Sequence, residues 1–227
     1  VGLLDVDVHG PTVPTMLDLV GEPVLSEEQS LLPVAIGELK VMSVGFLLQR
    51  REEAVIWRGP MKMGVIKQFL KDVQWGDLDY LIVDAPPGTG DEPLSVCQLI
   101  GAADGALIVT TPQEVALASV RKSITFCRQL QLRVLGVVEN MSGFVCPHCG
   151  GRTDIFLPPG AGGARQMAEE MHVEFLTAIP LEPQVTRAGD AGRPAEGHSV
   201  EVAKALQAVV DRVLDEQIAQ DARGGTT

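Results

Sequence analysis

The chain has 227 residues, 45% of them hydrophobic, and a mean hydropathy of +0.17, enough apolar material for one substantial core and a better fit to a single α/β domain than to two. Its 18 Lys and Arg stand against 30 Asp and Glu, a formal net charge of −12 with a pI near 4.7, so its field repels phosphate backbones and anionic lipid, and nucleic acid is not an expected partner. No apolar run approaches the roughly 20 residues that span a bilayer, and no basic segment leading into an apolar stretch marks an export signal, so a soluble, cytosolic protein is expected.

In chain order, the first expected strand is Val1–Asp7, which runs through acids into His9-Gly10-Pro11. Ile66, Phe69, Leu70 and Val73 then follow the i, i+3, i+4, i+7 spacing of one helix face. Asp79–Asp84 is a second apolar strand ending in an acid, Gly105–Thr110 a third and Arg133–Asn140 a fourth. A long helix is predicted from about Gln113 to Gln131, with Leu117, Val120, Ile124 and Cys127 inward, and a last one with Val202, Leu206, Val209, Val210 and Val213 inward. Near-continuous apolar strands alternating with amphipathic helices predict a doubly wound, mostly parallel α/β sheet, its strands covered on both faces and its ligand loops at the strand carboxyl ends. One domain over residues 1–222 is expected, with a disordered tail at Arg223–Thr227.

Two acid-tipped strand ends carry chemistry. After Leu81-Ile82-Val83-Asp84 comes Ala85-Pro86-Pro87-Gly88-Thr89-Gly90-Asp91-Glu92. An Asp there can hold a magnesium-bound water, and Gly88 and Gly90 let backbone N–H groups approach a terminal phosphate. Leu3-Leu4-Asp5-Val6-Asp7 makes a second such end, where Asp7 can orient an attacking water or contact a metal-bound one. A solvated strand end with a Pro/Gly turn explains either segment alone. The two together favour a nucleotide switch region.

Cys146-Pro147-His148-Cys149 offers two thiolates at metal-clamp spacing, half of the four that a tetrahedral zinc or a cubane cluster takes. Pro147, Gly150 and Gly151 place the pair in a turn that aims both sulfurs and several N–H groups at one point, which lowers thiolate pKa and suits a soft metal. A thiol-oxidant reading would need a helix opening at the motif, against which Gly150-Gly151 argues; a zinc site shared by two chains uses the same ligands as a cluster. His148 is expected to be a solvent-facing turn residue. Cys97 and Cys127 fall on apolar helices and are expected to pack without chemistry.

Asp5-Val6-Asp7-Val8-His9-Gly10-Pro11, Trp57-Arg58-Gly59-Pro60, Asp84 to Glu92, Thr111-Pro112-Gln113, Glu139-Asn140-Met141-Ser142-Gly143-Phe144 and Cys146-Pro147-His148-Cys149 together resemble, in the same order, the blocks of the Mrp/ApbC iron–sulfur cluster carriers. These are deviant Walker P-loop ATPases of the MinD/ParA superfamily, and the match runs from Val1 to about Pro194. The resemblance implies that Asp7 positions the hydrolytic water, that Asp84 holds Mg2+ through water, and that Gly88 to Asp91 form switch II. It also implies that Asn140 binds adenine, with Ile179-Pro180-Leu181-Glu182 lining the base. A strand-end amide satisfying local backbone is the alternative for Asn140. The family usually has Asp where Glu182 stands, which leaves a backbone contact expected and a side-chain role open.

The resemblance further implies that two subunits each give Cys146 and Cys149 to one bridging [4Fe–4S] cluster, that ATP is hydrolysed, and that apo iron–sulfur proteins receive the cluster. The family's phosphate cradle, G-x-x-x-x-G-K-[ST], lies upstream of the position matching Val1 and does not occur in this sequence, so an N-terminally incomplete copy lacking a central strand is expected. Arg58 beside Trp57 reads as a surface arginine more than a partner contact, and Lys62 and Lys67 as a solvated helix face. Glu201, Asp211, Asp215 and Glu216 disfavour a membrane-targeting last helix. The expected function is a homodimeric iron–sulfur cluster carrier ATPase with a [4Fe–4S] cluster, ATP and Mg2+; the alternative is a zinc-bridged or MinD-like scaffold or positioning protein.

Overall fold

The computed structural model describes residues 1–7, 9–19, 30–47, 59–101, 103–146, 148–156 and 161–224. In chain order the first elements are β1 (Gly2–Asp5), α1 (Val13–Met16), β2 (Val34–Ile36), β3 (Leu39–Ser43), α2 (Gly59–Lys71), β4 (Leu81–Asp84) and α3 (Asp91–Ile100). They continue with β5 (Ala106–Thr110), α4 (Glu114–Gln129), β6 (Val134–Glu139), β7 (Phe144–Val145), β8 (Arg152–Thr153), α5 (Gly163–Glu170), β9 (Phe175–Ala178), α6 (Pro183–Asp190) and α7 (Val200–Gly224). The chain divides into two compact units, Val1–Ala102 with Arg187–Pro194, and Ala103–Thr186 with Ala195–Thr227.

In the first unit the sheet order is β2-β3-β1-β4, with β1 parallel to both neighbours and β2 antiparallel to β3. Register sets Asp5 between Ser43 and Asp84, so the three polar strand ends fall in one row. Leu4, Val41 and Met42 of the strands pack with Ile66 and Phe69 of α2, all fully buried, as the helical spacing predicts. Val73 is buried too, but beyond the end of α2, where it bridges Leu31. The expectation of strands covered on both faces does not hold for β4: it pairs with β1 alone among the described residues, and Leu81 and Ile82 are 36% and 45% exposed.

In the second unit β5, β6 and β9 form a parallel sheet in that order. Leu117 and Ile124 of α4 and Ala164 and Met167 of α5 bury against Val137 of β6. Gly136 is required in β6 because a Cβ there would lie 2.4 Å from Leu176 Cγ, so the residue's lack of a side chain lets β9 approach. Among the described residues β5 and β9 are the edges of this sheet, and Val109 of β5 is 61% exposed.

The face of α7 differs from the expected one. Val202, Ala205 and Glu216 are buried while Leu206 and Val210 are exposed. The inward stripe, on which Val209 and Val213 are half-buried, also carries an ion pair: Arg212 Nη1 lies 3.2 Å from Glu216, which also pairs with Arg133. This helix runs to Gly224, past Arg223 where a tail was expected; 225–227 lie outside the described residues.

Candidate functional site

Three carboxylates mark the carboxyl end of the first sheet. Asp5, the last residue of β1, is only 1% exposed. Its Oδ2 accepts from Ser43 Oγ at 2.8 Å and its Oδ1 from the Asp7 N–H at 3.0 Å, while Ser43 Oγ accepts from the Gly45 N–H at 3.0 Å. Asp7 folds its own loop: its Oδ1 accepts the N–H groups of His9 and Gly10 at 3.0 and 3.1 Å, an Asx-type turn. Asp84 ends β4 in register with Asp5.

Desolvation, and secondarily the Asp7 charge, push the Asp84 carboxyl above its ordinary range. Burial does the same to Asp5, opposed by the Ser43 hydroxyl and the Asp7 N–H. Carboxylates crowded this way repel one another, and a hard cation relieves that repulsion. Among the described residues no group of three or more His, Cys, Asp or Glu is placed to ligate a metal directly.

The switch II segment follows. Gly88 has φ +102°, a conformation that L side chains rarely adopt, and Gly90 is the N-cap of α3. Asp91 opens α3, its side chain outside the described residues. His9 Nε2 lies 3.7 Å from Glu92 Oε1 and ties the Asp7 loop to the first turn of α3. Trp57 and Arg58 lie outside the described residues, as does the Lys62 side chain; Lys67 is exposed.

The second unit holds the other predicted residues. Asn140 follows β6, donates its N–H to Thr110 O at 2.7 Å, and accepts the Met141 N–H on its own Oδ1 at 2.9 Å. The local-backbone reading of this amide is thus realised, and its Nδ2 donors are the groups with which it can also read a base. The Ile179 N–H donates to Glu139 O at 2.7 Å, and Pro180 is buried. The Glu182 carboxylate is turned to α7: both oxygens accept the Ser199 N–H, at 3.2 and 3.3 Å, while Ser199 Oγ accepts the Val202 N–H at 3.3 Å. Its side chain therefore caps a helix.

The cysteine pair sits in a hairpin. Antiparallel β7 and β8 pair Phe144 with Thr153 and Val145 with Arg152, and the Cys146 N–H donates to Gly151 O while the Gly150 N–H donates to Cys146 O, both at 2.9 Å. Cys146 is half-buried and Cys149 exposed. Backbone N–H donation from His148, then Cys149, with the Cys149 side chain third, holds the Cys146 thiol below its ordinary range. Residues 148 and 149 form a turn and not the first turn of a helix, so the arrangement of a helix-opening thiol oxidant is absent. His148 is an exposed turn residue. Cys127 is buried in α4, and burial pushes the half-buried Cys97 thiol up, as inert packing requires.

Sequence reasoning gave no role to Ser43 or to Asp5 itself. An acid closing an otherwise apolar strand was the signal for Asp5; nothing local marks Ser43.

The model of the ParA-group family described as NUBPL iron-transfer P-loop NTPase matches residues 1–214. The cytosolic Fe-S cluster assembly factor CFD1 of Kluyveromyces lactis is 45% identical over 235 residues, covering 100% of this chain and 82% of the yeast protein. The chain belongs to the NUBPL-type iron-transfer P-loop NTPases. A solved Archaeoglobus fulgidus nucleotide-binding protein in complex with ADP, with Co found in it, resembles this NUBPL-type chain at a TM-score of 0.72 and 41% identity, covering 87% of this chain and 76% of its own. The Pyrococcus furiosus cell division ATPase MinD shares the fold at 20% identity and a TM-score of 0.63, covering 94% and 85%. No helix among the described residues is long and apolar enough to cross a membrane.

Proposed function

We propose that this NUBPL-type NTPase is a cytosolic iron–sulfur cluster carrier that holds a [4Fe–4S] cluster on Cys146 and Cys149 from each of two identical chains and passes it to apo iron–sulfur proteins. The observation that supports this reading is the hairpin turn, which brings two cysteines together and lowers the Cys146 thiol through backbone N–H donation. Four-coordinate iron is completed when a two-fold axis brings a second identical pair.

ATP and Mg2+ serve this carrier. Magnesium, when bound, neutralises charge on the transferring phosphoryl group. Asp84 holds its waters, and Asp7, whose Oδ1 accepts the His9 and Gly10 N–H groups, orients the attacking water. The backbone of Gly88, Gly90 and Asp91 meets the terminal phosphate, and the His9–Glu92 contact makes the two switch segments respond together. Asn140 and the backbone of Pro180 and Glu182 hold the base.

The test is transfer. Full-length protein loaded with iron and sulfide under nitrogen is mixed with an apo [4Fe–4S] enzyme whose activity reports its cluster. Recovery that depends on Cys146 and Cys149 is expected. No recovery, or equal recovery from free iron and sulfide, contradicts the proposal, and a chain that takes up zinc but no sulfide favours a zinc-bridged scaffold.

A further inference from the structure

The two sulfurs of the hairpin turn are in contact before any metal joins them. Two 2.9 Å hydrogen bonds close the turn, from the Cys146 N–H to Gly151 O and from the Gly150 N–H to Cys146 O, and the β7–β8 pairs anchor both of its ends. The i→i+4 bond from Gly150 to Cys146 makes a single turn of helical type. Cysteines three residues apart in such a turn have Cα atoms within about 7 Å, inside the reach of a disulfide. The Cys149 side chain donates to the Cys146 sulfur. Gly151 keeps that approach open, because a Cβ there would lie 3.3 Å from Cys149 Sγ.

The two thiols differ in what surrounds them. The N–H groups of His148 and Cys149 also donate to the Cys146 sulfur, and a sulfur held by three donors is the nucleophile of the pair. Cys149, which is exposed, stands ready to attack it in turn. Cys127 is buried in α4 and Cys97 half-buried in α3, so the hairpin turn is the first thiol surface that a solute meets.

We propose that the metal-free Cys146/Cys149 turn is a site of reversible oxidation by hydroperoxides, closing to an intrachain disulfide that bars metal until a dithiol reopens it. The Cys146 thiolate attacks the terminal peroxide oxygen and the O–O bond breaks. The leaving alkoxide or hydroxide takes a proton from water, and Cys146 becomes a sulfenic acid. The Cys149 sulfur then attacks Cys146, the S–S bond forms, and the sulfenic oxygen departs as water with the Cys149 proton. The pair gives up two electrons and the peroxide takes them. A dithiol returns two electrons by exchange and leaves as its own disulfide. The closed pair offers no thiolate to a metal, and a bound metal leaves no free pair for the peroxide, so each state excludes the other. The bar to metal rests on the proposed function, which makes these sulfurs the ligands; the oxidation itself does not.

The experiment adds hydrogen peroxide to the reduced, metal-free protein, counts the four free thiols over time and maps disulfides by mass spectrometry. We expect two thiols to be lost, with Cys146 joined to Cys149 in the same chain. The thiolate-to-cobalt absorbance of added Co2+ should be lost with them and return after dithiothreitol. Cys149→Ser should stop at a sulfenic acid on Cys146, trapped by dimedone, and Cys146→Ser should slow oxidation at the turn about tenfold. Retention of all four thiols, loss of Cys97 or Cys127 ahead of the pair, a disulfide between two chains instead, or undiminished Co2+ binding after oxidation overturns the inference alone. Equal Co2+ binding by the reduced parent and by Cys146→Ser overturns the proposed function and the bar to metal with it, while the disulfide stands.

Discussion

Asp5 is the residue whose environment departs furthest from what its type prefers. Burial raises its carboxyl pKa in spite of two hydrogen bonds. A carboxyl that holds its proton more tightly in the folded chain adds stability below its ordinary value near 3.8, and that contribution is lost as pH rises through the raised folded value. Asp5→Asn, which cannot ionise, is therefore expected to melt above the parent at pH 7, by about 2–4 °C for each kcal/mol of relief, with the difference closing as pH falls toward 3.8; thermal melts across that range check it, and a constant difference would oppose the assignment. Asp7 predicts a loss of a different kind. Asp7→Asn in the full-length protein should lower ATP turnover by about 100-fold or more with nucleotide affinity little changed, measured by phosphate release and equilibrium binding. The strand-end positions of Asp84 and Asp7 and the turn at Cys146 and Cys149 were legible in sequence, because an acid closing an apolar run and a C-x-x-C followed by Gly-Gly are local signals. The Ser43 contact to Asp5 and the Ser199 contact to Glu182 were not, because each joins residues far apart in the chain.

At the scale of elements, the apolar strands and the α2 and α4 faces followed directly from periodicity, whereas β7 and β8, two residues each, are too short to have any. The α7 face was misread because a pattern of valines cannot announce that Glu216 is buried by two arginines. Buried acids are structural devices elsewhere in this unit too. Glu139, the last residue of β6, accepts the Ala164 N–H at 2.6 Å in the first turn of α5, pinning that helix to the strand that ends at Asn140. Glu139→Ala leaves a buried N–H without its charged acceptor and should cost about 1–3 kcal/mol, read from urea unfolding with m unchanged.

For the whole molecule, the family and the α/β fold were readable from order along the chain, and Asp5, Asp84, Thr110 and Glu139 each close a strand that the alternation of elements predicts. What order alone does not supply is the second half of the metal site. With a net charge of −12 on each chain, two copies repel, so the association proposed above needs something specific to hold it, and the proposed shared cluster would be that tie. Loading should convert monomer to dimer, observable as a doubling of mass by light scattering that Cys149→Ala abolishes. Anaerobic reconstitution followed by iron and sulfide analysis decides whether the Cys pair holds a shared cluster. About four iron and four sulfide per dimer are expected in the parent and neither in the Cys146→Ala, Cys149→Ala variant; zinc without sulfide in the parent, or cluster content unchanged in the variant, would refute a shared cluster.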